Sequence, residues 1–519
     1  EERYGSYRAV REDARAARLH RLALAADMTA DGEPEVLAAE LPGSVTSFAL
    51  SPDGARAALV TWPSPDLVDL LKAEVHLLDL ETGGTERVDE GAGNKGNLLW
   101  SRSGDRLAWT RGDAFPSLSD VQILEVGAAR GLRTIEMTEL DPRLVHLDGD
   151  ALLFAAPERT TAGLYRLDLD SGATERLSPG GALHRSFSVS DDGGVRAWLA
   201  ADATHLGEVE VWTGRRTLRI TDVSAQLEGF ALPGKEIVRW TAPDGLEIEG
   251  VLTLPPDFDP DRRWPLLVRT HGGPTGTDFP WIAGAPRAIY EPAVLAGLGG
   301  GALVLQTNYR GSAAYGEAFQ RSNLGNLGVG PAEDIVAGIE MLDARGIVDR
   351  ERVGCLGWSQ GGHISAMLAT YTDACTAAIM GAGISDWRTY YYNTDITQFT
   401  TEYFGATPFE DPEVYARTSP VTYLDPSDTP VLIQHGENDA RVPIENGYQL
   451  RQALLDAGVE ARMLVYAGMG HGPRTPRTTR AITEHAVAWL EHHLLGGPAP
   501  DYVTPVEPEE DPETADEAP

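Results

Sequence analysis

Ser359 stands between Gly357 and Gly361 in the run RVGCLGWSQGGHISAMLA (352–369), where an apolar stretch ends and an amphipathic one begins. The pattern Gly-x-Ser-x-Gly fits a strained turn from strand to helix that lifts a serine hydroxyl clear of the backbone, with glycines where any side chain would clash. A serine hydroxyl is a weak nucleophile at neutral pH, so acyl-transfer chemistry also requires an imidazole base and a carboxylate to orient it. In this arrangement the partners follow in the order serine, acid, histidine, each just beyond a strand. Asp439 in PVLIQHGENDARVP and His471 in ARMLVYAGMGHG meet that order. Glu437 is the alternative acid but lies nearer the strand end. Among the other histidines, His435 closes a strand too early, His363 lies inside the helix after Ser359, and His271 precedes the acid, so each reads as structural.

A tetrahedral intermediate also needs donors for its oxyanion. The backbone N–H of Gln360, directly after the serine, is one. The glycine-rich THGGPTG, after the apolar run PLLVR, supplies the other from Gly272 or Gly273.

These residues need a scaffold that brings strand ends together. Between residues 235 and 497, short apolar runs (PLLVRTHGG, GALVLQTNYRG, RVGCLGW, TAAIMGAG, TPVLIQHGE, EARMLVYAG) alternate with helical ones such as PAEDIVAGIEMLDARG and RAITEHAVAWLEHHLL. That alternation predicts a mainly parallel sheet covered on both faces. Residues 1–234 repeat instead. VHLLDLETGGTERV (75–88) and LYRLDLDSGATERL (164–177) are copies of one strand-turn-strand unit, interleaved with SPDGARAALVTW, SRSGDRLAWTR and SDDGGVRAWLA. Period-two patterning repeating every 40 to 50 residues predicts a β-propeller of four whole blades and the back half of another. The Pro-, Glu- and Asp-rich segment 498–519 is expected to be a disordered acidic tail.

HGGP, NYRGSAAYG, GWSQGG, GISDW, DPEVYARTSP, HGENDARVP and GMGHG occur in this order across residues 240–497. With these motifs the chain resembles the prolyl oligopeptidase family of serine peptidases, nearest its acylaminoacyl-peptidase and dipeptidyl-peptidase-like bacterial branch. The resemblance implies a propeller capping an α/β-hydrolase domain and cleavage restricted to short peptides or acylated amino acids; no cofactor or metal is expected. It makes Ser359 the nucleophile, His471 the base and Asp439 its orienter, and it matches Arg441 to a position that reaches a substrate carbonyl. Two departures stand out. Many relatives carry an aromatic residue where this chain has Gln360, and family propellers commonly have seven blades, more than about 220 residues can build.

Composition narrows the alternatives. A formal net charge of −35, from 78 acidic against 43 basic residues, argues against nucleic acid as a partner, because phosphate binding needs a basic face. Lys72, Lys95 and Lys235 are the only lysines; the arginine bias fits a GC-rich genome, and the acid excess leaves a high-salt habitat as an alternative. No apolar run approaches the roughly 20 residues of a membrane span, and the first residues lack the apolar core of a signal peptide. A cytoplasmic enzyme with short peptide or acyl-amino-acid substrates is expected, with homo-oligomerisation open; the chain starts at Glu1 rather than Met, so a trimmed export signal is the alternative. Cys355 and Cys375, on either side of a predicted helix, read as buried free thiols in preference to a disulfide. Competing functional readings are an esterase or small-amide hydrolase with the same triad, and a propeller binding module with an inactive hydrolase domain.

Overall fold

The computed structural model describes residues 15–127, 131–282, 289–425 and 427–502. The N-terminal half is antiparallel. A strand pair, β1 (Leu19–Arg21) and β2 (Glu35–Leu37), precedes four-stranded meanders. The first is β3–β6 (Ser44–Leu50, Arg56–Trp62, Glu74–Asp79, Thr85–Asp89), and the second is β7–β10 (Asn94–Trp100, Arg106–Gly112, Asp120–Glu125, Leu132–Ile135). The third is β11–β14 (Arg143–Asp148, Ala151–Glu158, Thr161–Asp168, Thr174–Arg176), and the fourth is β15–β18 (Leu183–Val189, Arg196–Ala201, Glu208–Trp212, Thr217–Arg219). A single parallel pairing of Ala162 with Leu183 links the last two.

The repeated sequence units fold by one repeated turn chemistry. In SPDG, SRSG and SDDG the serine hydroxyl (Ser51, Ser101, Ser190) accepts the N–H five residues on at 2.9 Å and donates to an aspartate at 2.6–2.8 Å. The side chain thus closes the loop that joins first strand to second. In the LDLETGG and LDLDSGA copies, Asp79 and Asp168 accept from the N–H three residues on at 2.7 and 3.0 Å. The first strand of every meander carries a register shift, between Val45 and Ser47, Gly96 and Leu99, Leu144 and His146, and Arg185 and Ser188. Such bulges bend a strand and re-aim its side chains. Asn97 and Ser186, inside two of them, face a cavity of about 610 Å³.

The C-terminal half is one eight-stranded sheet: β19 (Gly234–Thr241), β20 (Glu247–Leu254), β21 (Trp264–Thr270), β22 (Leu303–Asn308), β23 (Val348–Trp358), β24 (Ala377–Gly381), β25 (Val431–Gly436) and β26 (Ala461–Tyr466). Its order is β19-β20-β22-β21-β23-β24-β25-β26, with β19 and β20 antiparallel and the remaining six strands parallel. The helices are α1 (Pro292–Leu295), α2 (Glu317–Gln320), α3 (Val329–Ala344), α4 (Gln360–Tyr371), α5 (Trp387–Asn393), α6 (Thr397–Phe404), α7 (Pro412–Arg417), α8 (Glu445–Asp456) and α9 (Pro476–Leu495).

Both faces of the sheet are buried, which explains why its strands read as continuous apolar runs. Ile335 and Ile339 of α3, Ile364 and Met367 of α4 and Leu450 of α8 pack in one core with Val268 and Cys355. Ile482, Ala486, Trp489 and Leu490 of α9 pack in the other with Leu267 and Leu356. Trp489 is fully buried, so its truncation to alanine should cost about 3–5 kcal/mol.

The halves are tied by specific bonds. Arg159 pairs at 2.9 Å with Glu249, whose buried carboxylate also binds Arg239 and the Tyr315 hydroxyl. Glu317 N–H donates to the Thr138 carbonyl at 2.9 Å, and the Gln398 amide to the Leu67 carbonyl at 2.6 Å.

Two expectations meet a different outcome. Cys355 and Cys375 form a disulfide, with Cα atoms 5.9 Å apart. Cys355 lies in β23, and α4 carries the chain back so that Cys375 re-enters just before β24, the parallel neighbour; reading the two runs as separate elements missed this adjacency. Most of the expected acidic tail, 503–519, lies outside the described residues, but its beginning packs on the domain: the Tyr502 hydroxyl donates to the His485 carbonyl at 2.6 Å. Among the described residues no helix is long and apolar enough to cross a membrane.

Candidate active site

Ser359 occupies the turn between β23 and α4 with φ 63° and ψ −124°, a conformation that costs a non-glycine residue energy and persists only where its surroundings hold it. Here Ser359 N–H donates to the Gly381 carbonyl at 2.8 Å, and its own carbonyl accepts from His363 N–H at 3.0 Å. The flanking glycines admit this packing. A Cβ on Gly357 would strike Thr270 Oγ1 and the Gly361 carbonyl, and one on Gly361 would strike the Thr270 carbonyl.

His471 Nε2 lies 2.9 Å from Ser359 Oγ, and its Nδ1 lies 2.9 and 3.1 Å from the two carboxylate oxygens of Asp439. Nδ1 therefore carries the proton toward Asp439, which leaves Nε2 as acceptor for the serine hydroxyl. Asp439 is buried and itself held, since the N–H groups of Arg441 and Val442 both donate to Oδ1 at 3.0 Å. Trp358 Nε1, one residue before the serine, donates to the His471 carbonyl at 2.8 Å and fixes the loop that carries the imidazole.

The remaining histidines have structural partners. His435 Nε2–H donates to the Val442 carbonyl at 2.8 Å and lies 3.6 Å from Asp439 Oδ2, while His363 Nδ1–H donates to the Ile384 carbonyl at 2.9 Å. His271 stacks on Tyr309 at 4.4 Å and bonds to Ser312 Oγ. Burial lowers all three pKa values, His363 to about 4, and so keeps these rings neutral. Glu437 accepts from Gly468 N–H at 2.7 Å, a brace for the loop leading to His471.

Gln360 opens α4, where a first-turn N–H has no intrahelical acceptor. A Cβ on Gly272 would come within 3.3 Å of Ser359 Cβ, and Gly273, at φ +129°, lines the same pocket as the serine. Both segments thus border the pocket beside Ser359.

That pocket, about 380 Å³, is walled mainly by apolar and aromatic side chains. Ile384, Tyr390, Phe399, Tyr403 and Val442 wall it from the sheet domain, and Leu67, Leu70 and Phe115 close it from the N-terminal half. Phe115 meets Phe399 edge-on at 6.1 Å. Arg441 is the one guanidinium among the described residues lining it, held by Asp395 at 2.7 Å through Nε. The turn that presents Asp395 clasps the acid loop further, by Thr394 Oγ1 to the Arg441 carbonyl at 2.8 Å and Asp395 N–H to the Ala440 carbonyl at 3.0 Å. Sequence reasoning missed the clasp and the three residues from the N-terminal half. Neither carries a local signal, because each acts only across a contact between distant segments.

A serine on a strand-to-helix turn, an imidazole and a carboxylate in hydrogen-bonded series, and a sheet that is parallel around them define a serine hydrolase. Residues 288–497 match the family model described as the prolyl oligopeptidase family. The chain is 25% identical over 498 residues to dipeptidyl-peptidase 5 of Porphyromonas gingivalis, covering 89% of this chain and 69% of the relative. Against the acylamino-acid-releasing enzyme of Homo sapiens it is 29% identical over 282 residues, covering 50% of this chain and 35% of the relative. Among solved structures, a puromycin-hydrolyzing peptidase of Mycobacterium tuberculosis superposes with TM-score 0.70 at 20% identity, over 92% of this chain and 83% of that one. The Pyrococcus horikoshii acylaminoacyl peptidase superposes with TM-score 0.62 at 19% identity, over 89% of this chain and 90% of that one. These two structures share its fold.

Proposed function

We propose that the chain is a serine peptidase of short, amino-blocked substrates, acylated amino acids and acylated short peptides, working through an acyl-enzyme. The observation that carries the reading is the hydrogen-bonded series Ser359–His471–Asp439 at 2.9 Å per step, opening into an apolar pocket. In the first half-reaction Ser359 Oγ attacks the scissile carbonyl carbon while His471 Nε2 takes the hydroxyl proton. The oxyanion is held by N–H groups of Gln360 and of Gly272 or Gly273, and His471 then gives its proton to the departing amine. Water repeats the sequence on the ester and frees the acid. Asp439 holds the imidazole tautomer throughout.

The preference for blocked amino groups rests on the pocket's charge. A free amino terminus is an ammonium ion and needs a carboxylate; among the described lining residues only Arg441 and His471 could carry charge, and neither is an anion. Arg441 suits a carbonyl of the acyl group. We read residues 1–234 as a β-propeller of four blades and a half, residues 235–497 as the catalytic domain, and 498–519 as a tail. Because Leu67, Leu70 and Phe115 come from the propeller, that domain shapes the substrate pocket as well as its entrance.

A panel of acetyl-aminoacyl, free aminoacyl and dipeptidyl anilides, with p-nitrophenyl esters as controls, tests the reading. The highest kcat/KM is expected on the acetyl-aminoacyl anilides. Turnover confined to substrates with a free amino terminus would overturn the amino-blocked class, and turnover of esters alone would favour an esterase.

A further inference from the structure

The segment NYRGS (308–312) takes no part in the triad, yet its side chains close on the glycine-rich loop beside Ser359. β21 and β22 are parallel neighbours with Thr270 opposite Thr307, so His271 and Tyr309 emerge from adjacent strand ends. Their rings stack at 4.4 Å, and the Tyr309 hydroxyl donates to the His271 carbonyl at 2.8 Å. Ser312 Oγ lies 2.9 Å from His271 Nε2, and all three residues are buried. The other ring nitrogen, Nδ1, lies 2.8 Å from the Gly272 carbonyl oxygen.

That last contact decides the tautomer. Two lone pairs at this distance repel, so Nδ1 carries the proton and donates it; Nε2 of the ring, which burial keeps neutral, then accepts from the Ser312 hydroxyl. The Gly272 carbonyl also accepts from Gly276 N–H at 3.2 Å, and a Cβ on Gly276 would strike both that carbonyl and the imidazole. A trans peptide is planar, with C=O and N–H on opposite sides. Turning the Gly272 carbonyl toward the His271 ring therefore turns the Gly273 N–H the other way. Among the described lining residues, His271 and Gly272 border a cavity of about 270 Å³ behind the loop, whereas Gly273 lines the pocket that holds Ser359 and His471. We infer that His271 is the positioning residue of the oxyanion hole: its Nδ1–H holds the Gly272–Gly273 peptide so that the Gly273 N–H, rather than that of Gly272, faces the reacting carbonyl. Tyr309 and Ser312 hold the ring in turn, which gives NYRGS its part in the reaction. The inference rests on the acyl-transfer reading above. A peptide between two glycines is otherwise free to rotate, and a flip would set a carbonyl oxygen against the developing negative charge.

Steady-state kinetics on one acetyl-aminoacyl anilide test this with the full-length chain, alongside inhibition by N-acetyl-phenylalanyl trifluoromethyl ketone, whose adduct on a serine carries the oxyanion. His271→Ala should lower kcat by about a hundredfold with KM within about threefold, because an oxyanion donor acts in the transition state. The Ki of the ketone should rise by a similar factor. His271→Asn sets an amide N–H where Nδ1–H stands and should keep kcat within about tenfold of the unaltered chain, whereas His271→Gln, whose amide extends toward Ser312, should resemble His271→Ala. Should no His271 variant fold, Tyr309→Phe decides: it keeps the stack, removes the hydroxyl and should lower kcat by at least about fivefold. Equal losses in the Ala, Asn and Gln variants, a loss confined to KM, or, in that second case, an unchanged kcat in Tyr309→Phe would overturn the inference and leave the acyl-transfer reading intact. Neither turnover nor inhibition with the unaltered chain would remove that reading and the inference with it.

Discussion

The indole Nε1 of Trp358 donates to the main-chain carbonyl of His471 at 2.8 Å, so the residue preceding the serine anchors the loop that presents the base. Ser359 and His471 lie 112 residues apart in sequence, and this bond sets their spacing through the backbone rather than through the reacting atoms. Trp358→Phe keeps the ring packed toward Tyr290 but removes the donor. It should lower kcat by about tenfold with little change in KM, as expected when a reacting group is displaced within its site. Steady-state kinetics on one anilide decide it, and an unchanged kcat would show that the loop is held by other contacts.

The clasp from Asp395 makes a related prediction. Arg441 Nε is bound to Asp395 at 2.7 Å, and Arg441 N–H donates to Asp439, so one residue touches both pocket and triad. Asp395→Asn should raise KM for acetyl-aminoacyl substrates more than it lowers kcat, because the guanidinium loses its fixed direction while Asp439 keeps its two backbone donors. A fall confined to kcat would mean that the clasp serves the acid loop alone.

Stability should decline below neutral pH before carboxylates are protonated. His363 is fully buried with its pKa lowered by desolvation to about 4, against 6.5 in the unfolded chain. Between those values the unfolded state binds the proton that the folded state refuses, so stability falls as pH falls through that window, by up to roughly 3 kcal/mol for this residue. His271 and His435 are shifted in the same direction and add to the slope. Thermal midpoints measured from pH 7 to 4 should drop, and His363→Gln should flatten the profile even though it starts lower. A midpoint independent of pH over that range would contradict neutral burial of these rings.

The disulfide closes a loop of 20 residues that contains the whole Ser359 turn and α4. Chain entropy predicts about 3 kcal/mol of stabilisation from a loop of that size. Cys375→Ala should lower the midpoint of urea unfolding accordingly and leave kcat/KM within about twofold, since neither sulfur reaches the site. Free-thiol titration of the unfolded chain without reductant should find none; two thiols would contradict the pairing.

The propeller proposal predicts selection by length. Leu67, Leu70 and Phe115 cover the pocket, so a substrate of two to four residues should be cleaved far faster than the same sequence inside a peptide of about 40 residues. Phe115→Ala should narrow that ratio. Equal rates on both substrates would leave the N-terminal half as a docking surface.

Much of this was legible because local chemistry repeats or carries strain. The serine-aspartate turns announce themselves in SPDG, SRSG and SDDG, and the glycines around Ser359 mark a backbone that tolerates no Cβ. The parallel strands read directly as apolar runs because both faces are covered. Cys355 and Cys375 were misread because their adjacency follows from how α4 returns the chain, which spacing alone does not convey. Arg441 was found by its motif, but its partner Asp395 sits 46 residues earlier on a turn between α5 and α6, and only packing joins them.

The central claim is that Ser359 is the nucleophile activated by His471. Its most direct test is labelling of the native full-length chain with a fluorophosphonate probe, followed by mass-spectrometric mapping of the adduct and comparison with Ser359→Ala and His471→Ala. One adduct on Ser359 is predicted, absent in Ser359→Ala and slowed by orders of magnitude in His471→Ala, with peptidase turnover lost in both by about a million-fold. An adduct on another serine, no adduct on a folded chain, or a tenth of wild-type turnover surviving in Ser359→Ala would contradict it.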